Sequence, residues 1–139
     1  MEFLKVVIDS NILLRTLISR GDILRLIFNR KLKLFAPEKL KEEFENHKKE
    51  VLLKSKLSED RFNLLLSLIL KRIIFVSLDK YNSFILKALK LLKEHKKDKD
   101  FLALCLFMNV KFWTYEKRFF DLGLAISTKQ ISEQLKKES

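Results

Sequence analysis

The chain of 139 residues holds one cysteine, one proline and two glycines. A lone Cys105 excludes an intramolecular disulfide, which fits a reducing cytosol. With only two histidines, His47 and His95, no cysteine/histidine zinc constellation can be assembled. So little glycine and proline leaves no room for flexible linkers, and no internal repeat or domain boundary is evident. One domain over residues 1–139 is expected. Long hydrophobic runs are missing too. The longest, Leu64 to Leu70, is broken by Ser67 and covers about a third of the ~20 residues of a membrane span. Glu2 and Lys5 interrupt the apolar opening, so no conventional signal peptide is predicted.

What is abundant is apolar side chain and positive charge. Hydrophobic residues make up 47%, enough for a folded core. The net charge of +11 favours a polyanion such as nucleic acid, or an anionic surface. Enrichment in lysine as thermal adaptation is the competing reading.

The pattern along the chain alternates short apolar runs with helical segments. Strands are predicted at Phe3 to Ile8, Lys31 to Ala36, Arg72 to Ser77, Val110 to Thr114 and, briefly, Leu124 to Ile126. Helices are predicted from Asn11 to Ser19 and from Ile23 to Arg30, the latter capped by Asp22. Another runs from Pro37, in its first turn, to about Leu53. Ser58 caps the next. From Asp79 the residues Tyr81, Phe84, Ile85, Ala88, Leu91 and Leu92 recur at helical spacing, as one amphipathic helix. Phe101 to Met108 reads as a buried helix, Glu116 to Leu122 as a short helical turn. Ser127 and Gln130 have capping-box spacing for a last helix that buries Ile131 and Leu135. This order predicts a three-layer α/β/α sandwich around a mostly parallel sheet of four or five strands.

In such sheets, sites lie beyond the carboxyl ends of the strands. Asp9 follows the first strand and Glu116 lies just past the fourth. Asp98 and Asp100 precede the buried helix, and Glu42, Glu43 and Glu45 lie on the helix after the second strand. Acids from four segments can therefore reach one edge. Gathered carboxylates repel unless a cation neutralises them, and Mg²⁺ or Mn²⁺ prefers such oxygen donors. One or two such ions can activate water and stabilise charge on a phosphodiester. Each acid also has a plainer role: Asp9 as helix cap, the glutamates as a solvated face, Asp98 and Asp100 as partners of a helix dipole, Glu116 as a surface ion-pair partner.

Four segments together resemble the PIN-domain family of nucleases. Val6 to Leu14, VVIDSNILL, is similar to its first motif and Ala36 to His47, APEKLKEEFENH, to its second. Asp98 to Leu106, DKDFLALCL, is similar to the third and Trp113 to Phe119, WTYEKRF, to the fourth. The resemblance spans nearly the whole chain and keeps the motifs in order. It implies catalytic acids at Asp9, Glu43, Asp98 and Glu116, with Asp9, Asp98 and Glu116 as metal ligands. Glu42 is the rival of Glu43, and Asp100 the alternative to Asp98. Ser10 and Asn11 would support the first acid, and Thr114 the fourth. The fourth motif usually carries aspartate, so Glu116 is a departure that reaches one methylene further and puts full activity in question.

The resemblance further implies a ribonuclease using Mg²⁺ or Mn²⁺, the toxin half of a toxin–antitoxin pair, an antitoxin protein as partner, and a homodimer. A catalytically weak or inactive RNA-binding module on the same fold is the alternative. An aspartyl phosphotransfer protein fits less well, since Asp9-Ser10-Asn11 lacks an Asp-x-Asp pattern. Lys97, Lys99, Lys117 and Arg118 are candidates for the nucleic-acid backbone. Tyr115 and Trp113 are candidates for base stacking, with strand alternation favouring a buried Trp113. His47 shares a helix face with Glu43, though a surface histidine is the commoner outcome.

Overall fold

A computed structural model describes residues 2–137. The strands are β1 (Leu4–Ile8), β2 (Leu32–Pro37), β3 (Ile73–Val76), β4 (Lys111–Trp113) and β5 (Ala125–Ile126). They form one parallel sheet in the order β3-β2-β1-β4-β5. Val6, Val7 and Ile8 of β1 are all fully buried, as expected of a central strand covered on both faces. Helices lie on both sides of the sheet. One group comprises α1 (Ser10–Ser19), α3 (Lys39–Ser55) and α4 (Glu59–Leu70), which pack on one another, with α2 (Gly21–Ile27) beside α1 and β2. A second comprises α5 (Leu78–Tyr81), α6 (Ile85–Leu92) and α7 (Lys99–Met108). The chain then completes α8 (Lys117–Asp121) and α9 (Thr128–Lys137). None of the described helices is long and apolar enough to cross a membrane.

The α/β/α expectation holds, with five parallel strands. The predicted capping box is formed: the Ser127 amide donates to Gln130 Oε1 at 2.8 Å, and the Gln130 amide donates to Ser127 Oγ at 3.0 Å. Ile131 and Leu135 are buried, and Ser58 caps α4 by accepting from the Arg61 amide.

Three local expectations are corrected. Pro37 ends β2 instead of opening α3. Pairing of β2 with β1 stops at Phe35, so the proline sits where the ladder is one-sided and its missing N–H costs least. Asp22 does not cap α2, which begins at Gly21; Arg20 and Gly21 both have positive φ, and the turn there starts the helix two residues early. The amphipathic helix from Asp79 is split by a 3₁₀ turn over Asn82–Phe84. Asn82 and Ser83 are weak helix formers, and Tyr81 is anchored elsewhere by its hydroxyl.

The strand order also fixes where a site can form. The chain leaves β1 toward β2 and β3, then crosses to β4 on the opposite side of β1. The carboxyl ends of β1 and β4 thus flank the point where the order reverses, the usual crevice of open α/β sheets.

Candidate active site

Asp9 follows β1 directly, and its backbone amide donates to the Trp113 carbonyl on β4 at 3.0 Å. That bond continues the sheet by one residue and fixes the carboxylate at the crevice. Asp9 also starts α1, but its side chain makes no capping hydrogen bond. Its Oδ2 instead accepts the Thr114 hydroxyl at 2.6 Å. Thr114 Oγ1 in turn accepts the Glu116 amide at 3.2 Å, so one buried hydroxyl ties the first acid to the loop carrying the fourth.

A cavity of about 410 Å³ opens at this point. Asp9, Glu43, Asp98 and Glu116 all line it, as do Ser10 and Asn11 from the start of α1. Lys97 and Arg118 also line the cavity, whereas Lys99 and Lys117 do not. The two rivals are not brought in. Glu42 is exposed on α3 and outside the cavity lining. Asp100 is turned into the protein, where Tyr81 donates to its Oδ2 at 2.7 Å and Lys39 Nζ stands 3.8 Å from its Oδ1. Burial, followed by that hydrogen bond, pushes the Tyr81 hydroxyl well above its usual pKa. Position two in the α7 helix points Asp100 inward, which is why it serves packing and Asp98 serves the cavity.

The electrostatics follow from burial and crowding. Asp9 is 3% exposed. Desolvation pushes its carboxyl up to about 6, the Thr114 hydrogen bond opposes this, and the charges of Asp98 and Glu116 add to it. Burial also raises Glu43; Ser10 and Lys39 oppose, and Asp98 pushes the same way. Asp98 thus acts on both Asp9 and Glu43, and Glu116 acts on Asp9. Arg118 lies among them: its Nη2 pairs with Asp98 Oδ2 and, at 2.9 Å, with Glu116 Oε2.

All-oxygen donors of this kind suit Mg²⁺ or Mn²⁺. Glu43 Oε1 is buried without a hydrogen-bond partner, a deficit that a cation would remove. The donor chemistry thus fits a hard divalent ion. Among the described residues, however, no three Asp, Glu, His or Cys side chains stand close enough to hold an ion as they are placed. The acids share a cavity but stand apart within it.

Other lining residues are Asn46, His47, Glu94 and His95. Asn46 and His47 sit three and four positions after Glu43, a spacing that signals one helix face. Glu94 had no such signal, because the loop after α6 brings it in. Trp113 is fully buried and donates its indole N–H to Thr128 Oγ1 at 3.0 Å, so it takes no part in stacking. Tyr115 is 47% exposed, and the Arg15 guanidinium lies over its ring at 5.7 Å. Cys105 is buried in α7 and its thiol is pushed far up by desolvation, so it is core and not a nucleophile.

No curated protein matches the chain. PIN domains are generally nucleases that use divalent metals. A family model of the PIN domain matches residues 7–136, a span that contains all four acids of the cavity, and the chain belongs to the PIN domain family.

Proposed function

We propose that this protein is a divalent-metal-dependent endoribonuclease acting through Asp9, Glu43, Asp98 and Glu116 as a single domain. The observation that carries this reading is the arrival of acids from four separate segments in one cavity at the switch point of the sheet. Asp9, Asp98 and Glu116 would hold Mg²⁺ or Mn²⁺, with Glu43 facing the same space. A bound divalent ion supplies activated water and neutralises charge on the scissile phosphate.

The chain's own residues do the rest. Thr114 holds Asp9 in place, and a buried carboxylate held in place needs little reorganisation on loading. Lys97 and His95 at the rim suit a phosphate backbone. Tyr115 offers an exposed ring for a splayed base, which favours single-stranded RNA. Hydrolysis in line would leave a 5′-phosphate and a 3′-hydroxyl. A cytosolic toxin that acts as a homodimer and is silenced by an antitoxin protein is the biological setting that goes with this reading.

The second reading is an RNA-binding module that cuts nothing. Two features favour it: Glu116 in place of the usual aspartate, and Arg118 already neutralising two of the acids. Labelled single-stranded RNA incubated with the protein and with Asp9→Asn, in Mg²⁺, Mn²⁺ or EDTA, separates the two. Cleavage that needs metal and vanishes in Asp9→Asn supports the nuclease. RNA binding without cleavage by folded protein supports the module. Cleavage that persists in Asp9→Asn or EDTA sinks the site assignment.

A further inference from the structure

Two of the four acids are not waiting for a cation; they have one. The Arg118 guanidinium pairs through a single nitrogen with both Asp98 and Glu116. Those carboxylates come from different elements, the turn before α7 and the loop before α8, so the arginine is what bridges them. Without it, Asp98, Glu116 and the buried Asp9 would repel one another across the cavity.

The seat is incomplete. Arg118 Nε is buried without a hydrogen-bond partner, so that although the guanidinium lies over the Phe119 ring at 5.0 Å, one of its donors is desolvated and unsatisfied where it lies. The side chain also has somewhere to go. Arg118 lines the wall between the acid cavity and a neighbouring groove of about 310 Å³. That groove contains Asp121, three positions further along α8 and therefore on the same helix face. A divalent ion and a guanidinium cannot both occupy the space between Asp98 and Glu116. Whichever holds the acids excludes the other.

We propose that Arg118 is the built-in counter-cation of the acid centre: it competes with the divalent ion for Asp98 and Glu116, and swings toward the Asp121 groove when the ion binds. This rests on the metal reading above and adds its regulation. Arg118 then sets a threshold metal concentration, below which the acids stay paired and the centre is closed. Its role is that of a positioning residue for the acids, and the phosphate contact expected of it becomes available only after release.

The test is Mn²⁺ affinity, followed through the electron spin resonance of free Mn²⁺ with no RNA present. Wild type, Arg118→Gln, Arg118→Lys and Lys117→Gln are compared at neutral pH. Lys117→Gln removes the same charge one position away. Removing the competitor should tighten Mn²⁺ binding by Arg118→Gln about five- to tenfold, the scale of releasing two partly exposed ion pairs. Lys117→Gln should stay within about twofold of wild type, since its charge is solvated. Arg118→Lys, with a compact ammonium in place of the planar guanidinium fork, should fall between, and it carries the test alone if Arg118→Gln fails to fold.

Unchanged or weaker binding in Arg118→Gln, with wild type binding normally, overturns the competitor and leaves the metal reading standing. Equal tightening in Lys117→Gln reduces the effect to net charge and overturns it as well. No Mn²⁺ binding by any of the four proteins removes the metal reading, and this proposal with it.

Discussion

The hydroxyl of Thr114 reaches Asp9 Oδ2 at 2.6 Å across 105 positions of sequence, and both residues are buried. One small side chain therefore joins the ends of β1 and β4 and sets the charge state of the first acid. Thr114→Val keeps the volume and removes the bond. It should destabilise the fold by about 1–3 kcal/mol, because a buried acceptor loses its donor. The Asp9 carboxyl should rise further above about 6, since the interaction holding it down is gone. Thr114→Ser should retain most of both. Urea unfolding and carboxyl ¹³C titration read the two effects; a Thr114→Val protein as stable as wild type would show the bond to be idle.

A raised carboxyl has a defined sign in stability. Folded Asp9 holds its proton up to about 6, against 3.8 for the ordinary side chain. Its contribution is fully present below the lower value and lost as pH rises through the upper one. Burial moves Glu43 in the same direction. In EDTA the melting temperature should therefore fall between about pH 4 and pH 7, with up to about 3 kcal/mol at stake from Asp9 alone. Asp9→Asn should be more stable than wild type at neutral pH and show a flatter profile, while losing cleavage. A profile that rises with pH in EDTA would contradict the buried, crowded carboxylate.

Saturating Mn²⁺ should reverse that trend. Metal binds the deprotonated acids, so its stabilisation grows as pH passes about 6. At one hundred times the dissociation constant it amounts to about 2.7 kcal/mol. Differential scanning calorimetry with and without metal at two pH values measures this directly. Equal stabilisation at both would place the ion somewhere other than Asp9.

Asp98, the better match to the third acid, lines the cavity, whereas its alternative Asp100 is turned into the protein against Tyr81. Asp100→Asn should weaken the pairing with Tyr81 and Lys39 and cost about 1–3 kcal/mol in stability, with Mn²⁺ affinity unchanged. Asp98→Asn should cost little stability in EDTA and at least tenfold in Mn²⁺ affinity, since even the loss of a hydrogen-bonding partner behind a ligand costs about tenfold or more. The paired measurements separate packing from ligation. If Asp100→Asn were the one to lose metal, the assignment of the third acid would be exchanged.

What could be read in advance follows a physical division. The β1 strand, the α9 capping box and the place of Asp9 rest on local period and local hydrogen bonding, and those are written in neighbouring residues. Glu43 stands beside Phe44, whose burial turns that face inward, and Glu42 stays exposed. The break at Asn82–Phe84 was hidden because it answers to Tyr81 reaching Asp100, 19 positions away. Pairing of Glu116 with a nearby cation is legible in the sequence, and Arg118 supplies it, but the second ion pair of Arg118, with Asp98 20 positions away, was hidden: a lysine- and arginine-rich stretch reads as solvated until the fold sets acids against it.

Tyr115 carries the last prediction. Its ring is exposed, one position before the cavity residue Glu116, and lies beneath the Arg15 guanidinium, while nearby Trp113 is committed to the core. A flat aromatic face with a cation on it suits an unpaired base, and such stacking is worth about 1–3 kcal/mol. In the Asp9→Asn background, chosen so that the proposed cleavage does not consume the RNA, Tyr115→Ala should weaken binding of single-stranded RNA by about five- to a hundredfold. Tyr115→Phe should bind nearly as wild type, because the ring and not the hydroxyl does the stacking. Duplex RNA, whose bases are already stacked on one another, should respond little to either change. Fluorescence anisotropy with a short oligonucleotide and its duplex measures all of these. A uniform loss on both RNAs would mean that Tyr115→Ala acts through Arg15 and the phosphate backbone, and full retention on single strands would place the path of the RNA on another side of the cavity.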